Sequence, residues 1–147
     1  MANETDPIEI LDATECWRLL RTSDIARLAV SVSGQPDIFP LNYVVDGERL
    51  LFRTAQGTKL VHVLVNERVA LEVDGIHSDE VWSVVVKGTA RILDDQSEID
   101  AADRLPLRPL APTLKCVYVE VTPHELTGRR FVPGPEPERY WHPLPSI

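Results

Sequence analysis

A chain of 147 residues, 44% hydrophobic and 26% charged, is sized for one domain that buries roughly two-thirds of its unfolded surface. Its formal net charge of −8 excludes a general polyanion binder, because a nucleic-acid backbone requires a basic footprint. No apolar run approaches the roughly 20 residues that span a bilayer as a helix. The acidic opening MANETDPIEI also lacks the basic and apolar regions of a secretory signal, so a cytoplasmic protein with no membrane partner is expected.

In chain order, residues 1–11 read as an extension. Asp12-Ala13-Thr14-Glu15 forms a capping box, and Cys16, Leu19 and Leu20 follow on one helical face. Residues 25–32 alternate as a strand, Ser33-Gly34-Gln35-Pro36 turns, and residues 37–45 run back as a second strand. Pro40 interrupts that strand. A proline cannot donate to the ladder, so a bulge or a locally free edge is expected there. Backbone groups at Leu41 and Asn42 would then be free to bond something other than a strand; the alternative is an edge strand with no ligand. Asp46-Gly47 turns into residues 50–75, which hold a strand (Leu50, Leu51, Phe52), the Gln56-Gly57 turn, a helix with Leu60, Val61, Leu64 and Val65 on one face, and a strand alternating Val69, Leu71, Val73.

Residues 76–80 read as a polar loop. Residues 81–93 form the longest β-favouring run, with Val84-Val85-Val86 expected to be buried on both faces and Gly88 marking a bulge or bend. Residues 94–104 resemble a short helix capped by Asp95 or Ser97, Pro106, Pro109 and Pro112 make a loop, and residues 116–121 start a last strand that continues irregularly through Pro123 towards Arg130. The tail, residues 132–147, is too proline-rich to form an element. Six strands and two or three helices suggest a mainly β architecture, an antiparallel barrel with helices outside it.

The polar set at the central strand-to-helix turn, Arg53, Thr54, Thr58 and Lys59, outlines an anion cradle. A helix N-terminus offers unpaired N–H groups and partial positive charge, which hydroxyls and cations complete for a phosphate. Equally, Thr58 serves as a plain N-cap and Lys59 as a solvated first-turn residue. No GxxxxGK[ST] is present, the four histidines show no ligand spacing, no serine lies in GxSxG, and Cys16 and Cys116 read as buried thiols. With so thin a catalytic inventory, any redox or transfer chemistry belongs to a bound cofactor.

The ordered segments PLNYVVDGERLLFRTAQGTKL, VALEVDG, VWSVVVKGTARIL and ELTGRRF resemble the FMN-binding split-barrel proteins related to pyridoxamine 5′-phosphate oxidase, over residues 12–131. The resemblance implies a six-stranded antiparallel split β-barrel acting as a homodimer, with FMN in clefts at the subunit interface. It puts Arg53, Thr54, Thr58 and Lys59 on the FMN phosphate, and Pro40, Leu41 and Asn42 along the isoalloxazine ring. Trp82 and Ser83 match the pair that reaches the flavin from the second subunit, where the family's oxidase has arginine and glutamine; Trp82 is alternatively a core or interface aromatic. Lys87 either approaches the site or is simply a solvated strand-end residue. The oxidase's C-terminal Arg-x-His pair is replaced here by Arg139-Tyr140-Trp141-His142, so vitamin B6 oxidation is not expected. The implied activity is FMN-dependent hydride transfer on an unknown small molecule. The alternatives are an F420-dependent reductase on the same fold, a non-catalytic flavin carrier or sensor, a haem-binding member, and a structural barrel with an empty site.

Overall fold

The computed structural model describes residues 6–55, 67–77, 79–107 and 117–138. Seven strands are present among them: β1 (Ile8–Leu11), β2 (Ile25–Val32), β3 (Gln35–Asp46), β4 (Arg49–Thr54), β5 (Arg68–His77), β6 (Glu80–Ile92) and β7 (Val117–Phe131), with helices α1 (Ala13–Thr22) and α2 (Gln96–Asp103). All pairings are antiparallel in the order β1-β7-β4-β3-β2-β5-β6, and β6 also pairs with β7, so β2 to β7 close into a ring of six with β1 attached outside it. The expected six-stranded barrel is this ring. β1 falls in the segment expected to lie outside the domain; Ile8 pairs with Phe131 and Leu11 with Gly128. The loop expected at residues 76–80 is shorter, since β5 and β6 pair as far as His77 and Glu80.

Alternation along each strand decides what fills the ring. Ala26, Leu28, Leu50, Phe52, Leu71, Val73, Val84, Val86, Val119 and Val121 are buried in one core cluster. α1 joins that core. Asp12 caps it by accepting from the Glu15 N–H at 2.9 Å, as the capping box requires, and Cys16, Leu19 and Leu20 are buried. The Tyr43 hydroxyl donates to the Leu20 carbonyl at 2.5 Å and ties helix to barrel. Leu51 points the other way, which resolves the three-residue apolar run of β4. It lies under α2 in a second cluster with Leu93, Ala102, Leu107 and Tyr118. Asp95 caps α2, accepting from the Ser97 N–H at 2.9 Å. Val85, expected to be buried like its neighbours, is only half-buried, on an outer face of β6 that carries no helix among the described residues.

The one register shift between the described strands falls where Gly88 predicts it. β6 and β7 slip register between Lys87 and Gly88, a bulge, and β7 bends so that one edge serves β4 at its start and β1 at its end. No helix among the described residues is long and apolar enough to cross a membrane.

Candidate functional site

The site is organised by a length of β3 whose far edge has no partner strand among the described residues. β2 and β3 turn through Ser33 and Gly34, both at positive φ, a two-residue turn of the type I′ kind that makes Val32 and Gln35 a hydrogen-bonded pair. Counting along the ladder, residues 36, 38, 40 and 42 then turn their backbone groups away from β2. Pro36 and Pro40 thus sit where a missing N–H costs the β2–β3 ladder nothing, and the register runs through Pro40 without a bulge. On the far edge β4 pairs only with Tyr43–Asp46, and among the described residues no strand pairs with that edge between Gln35 and Asn42. Of the two outcomes expected for Pro40, the structure has the free edge.

Pro40 is exposed, Leu41 is buried in the core and Asn42 is half-buried. The Asn42 side-chain oxygen is buried without a hydrogen-bond partner, which disfavours the isolated chain unless something else donates to it. Beside this edge β4 ends in Arg53 and Thr54, which alternate to opposite faces. Thr54 is buried on the barrel side, and the Arg53 guanidinium lies 5.1 Å from the centre of the Tyr118 ring, whose hydroxyl donates to Asp103. Thr58 and Lys59, with the helix expected there, lie outside the described residues, as do His62, Cys116, Pro109, Pro112 and residues 139–142.

Trp82 and Ser83 also separate by alternation. Trp82 packs into the core, and its ring occupies the space opposite Gly75, where an added Cβ would come within 2.6 Å of its Nε1. Ser83 is on the outer face between Asp74 of β5 and Arg129 of β7. Three residues not singled out by the sequence join it on that face. The Arg27 Nη1 donates to Glu72 at 3.1 Å and to Asp74 at 2.6 Å, and Arg27 stands directly between Pro40 of β3 and Glu72 of β5. Burial, reinforced by the neighbouring Asp74 and opposed by Arg27, pushes the Glu72 carboxyl from the usual 4.5 up to about 7. The i, i+2 carboxylates of VALEVDG were the available signal; their arginine partner, 45 residues away, becomes visible only with the β2–β5 pairing. Among the described residues no group of histidine, cysteine and carboxylate side chains is arranged to hold a metal.

The family model described as pyridoxamine 5′-phosphate oxidase matches residues 12–130. An uncharacterized protein of Mycobacterium tuberculosis is 44% identical over 96 residues, which is 65% of this chain and 87% of that protein. Among solved structures, a candidate pyridoxamine 5′-phosphate oxidase of Corynebacterium glutamicum superposes with a TM-score of 0.82 at 41% identity, over 89% of this chain and 98% of that one. An FAD-binding protein of Mycobacterium smegmatis superposes with a TM-score of 0.75 at 41% identity, over 84% and 98% of the two chains. With the ring of six antiparallel strands and the proline-opened edge of β3 all inside the matched span, this chain belongs to the pyridoxamine 5′-phosphate oxidase family.

Proposed function

We propose that this chain binds a flavin along the open edge of β3 and serves, as a homodimer, as a flavin-dependent oxidoreductase acting on a small molecule. The observation that carries the reading is the buried, partnerless oxygen of Asn42 on a strand edge with no ladder beside it among the described residues. A heteroaromatic ring bearing N–H donors at its rim satisfies both. The 41% identical FAD-binding protein of M. smegmatis supports a flavin as that ring. Arg53 and Thr54 at the end of β4 mark where the ribityl phosphate would be held, completed by Thr58 and Lys59.

A bound flavin supplies hydride exchange at its N5, so the protein's task is position, hydrogen bonding and exclusion of water. The β3 backbone and Asn42 fix the ring edge, and Arg53 neutralises phosphate charge. Ser83 stands half-buried on the outer face, which nothing among the described residues covers, and would be available to a flavin held mainly by the other protomer. Cofactor sites shared between subunits would account for an outer sheet face that carries no helix among the described residues.

The test is an absorbance spectrum of freshly purified protein followed by titration with FMN, FAD and F420. Flavin binding in the micromolar range or tighter is expected. Arg53→Ala should weaken it by about 1–3 kcal/mol, the loss of one charge-assisted contact. Affinity unchanged by that substitution would remove Arg53 from the site, and binding of F420 alone would replace the cofactor.

A further inference from the structure

On the outer face, β2, β5, β6 and β7 enclose a groove of about 710 Å³, within the size range of small-molecule sites. Ala29, Pro36 and Ala70 contribute an apolar floor, and Arg68, Lys87, Thr89 and His124 gather along one rim. That rim is built by the bulge. Lys87 pairs with Glu125 and Gly88 with Pro123, so His124 is the extra residue. Bulges re-aim side chains, and the His124 Nε2 comes to 3.0 Å from the Thr89 Oγ1. Arg68 pairs directly across from Thr89. Glycine is required at the slip, because a Cβ on Gly88 would meet the Thr122 carbonyl oxygen at 2.2 Å. Two cations, a hydroxyl and an imidazole thus converge beside an apolar floor in a chain of net charge −8. Glu125 is the one carboxylate among the described residues that line the groove. It stands 3.8 Å from Lys87 with both side chains mostly in solvent, a loose pair that leaves the ammonium free to turn.

The groove reaches β3 at Pro36. Pro36 shares the outer face of β3 with Pro40 and lies four residues along it, roughly 13 Å at strand rise. β4 runs antiparallel to β3 with Phe52 against Tyr43, so the Thr54 end of β4 points towards the Pro36 end of β3. A phosphate held at the end of β4 therefore has the groove ahead of it.

We propose that the groove seats the adenylate half of a flavin dinucleotide, so that the site selects FAD over FMN. The assignment rests on the flavin reading above. The floor takes a flat aromatic face, and Arg68, Lys87, Thr89 and His124 complement the second phosphate and the ribose hydroxyls, groups that FMN does not have.

The experiment compares FAD and FMN binding by titration of flavin fluorescence on the wild type and on Lys87→Ala/Thr89→Val, both changes lying on the outer face of β6. The wild type should bind FAD at least tenfold more tightly than FMN. The variant should lose that preference with FMN affinity unchanged, and ADP should displace FAD in proportion to its occupancy of the groove. Equal wild-type affinities for the two flavins, or a variant that weakens both alike, would overturn the assignment while leaving flavin binding intact. Failure of both flavins to bind would overturn it together with the reading it rests on.

Discussion

Glu72 is the carboxylate whose surroundings bear most directly on its charge. It shares the Arg27 guanidinium with Asp74, and burial with the adjacent negative charge outweighs the arginine, so its proton is held up to about pH 7. In the unfolded chain the same group ionises near 4.5. Between those values the folded state binds more protons than the unfolded, and linkage then makes stability fall as pH rises. Glu72→Gln has no proton to lose, so urea midpoints of the cofactor-free protein should decline less for the variant than for the wild type between pH 4.5 and about 7. Parallel curves would show that Arg27 fully compensates the burial. The position has functional weight because Arg27 lies in register with Pro40. A charge appearing at Glu72 near neutrality changes the field across the face that carries Pro40, Asn42 and Ser83.

Among the elements, β1 contributes most beyond what its four residues suggest. Ile8–Leu11 pairs with the end of β7, Leu11 enters the core, and Arg130 of β7 donates to Glu9 at 3.1 Å and to Glu15 of α1 at 2.6 Å. The hydrogen bond from Arg18, with that from Arg130, holds the Glu15 carboxyl down to about 2, so this knot stays charged through ordinary pH. A chain beginning at Asp12 keeps the α1 cap but loses Leu11 and the strand. Its denaturant midpoint should correspond to a loss of about 2–4 kcal/mol, the scale of deleting a buried leucine. An unchanged midpoint would mean that β1 is an ornament of the barrel edge. Other elements were legible from sequence because local signals agreed: Asp12 and Glu15 mark a cap, residues 25–32 alternate cleanly, and Pro40 forbids a second ladder. β1 was not legible, since IEIL is too short for periodicity and its partner is more than a hundred residues away. The single-face reading of Leu50, Leu51 and Phe52 also required α2, which supplies a second apolar surface outside the barrel. Arg53 and Thr54 were visible as polar residues at a strand end, but strand alternation sends their side chains to opposite faces, so both reach one ligand only around the end of the strand.

At the scale of the whole molecule the outer surface of the barrel divides into two sectors. Over β4 and the start of β7, α2 covers Leu51 and Tyr118. Over β2, β3, β5 and β6 nothing among the described residues does so, and Ile25, Ile38 and Ile76 remain 46%, 61% and 80% exposed on that side. Isolated exposed isoleucines are ordinary, but three on one sheet face, beside the half-buried Val81 and Val85, form the kind of patch that marks an interface. The same sector carries Pro40, Asn42, Ser83 and the groove, so a second copy covering it would bury apolar surface and enclose the cofactor in one step. Assembly and flavin binding should then be coupled. The wild type is expected to sediment as a dimer at micromolar concentration, and Ile38→Glu, which places a charge at the centre of the contact without touching the barrel core, should sediment as a monomer with an unchanged circular dichroism spectrum. With sites that draw groups from both copies, as proposed, that monomer should bind flavin at least tenfold more weakly, a loss of about 1.4 kcal/mol or more. Flavin should in turn raise the dimerisation constant of the wild type, since linkage is reciprocal. A folded monomeric variant that retains full flavin affinity would place the entire site within one chain and leave the apolar sector to some other partner.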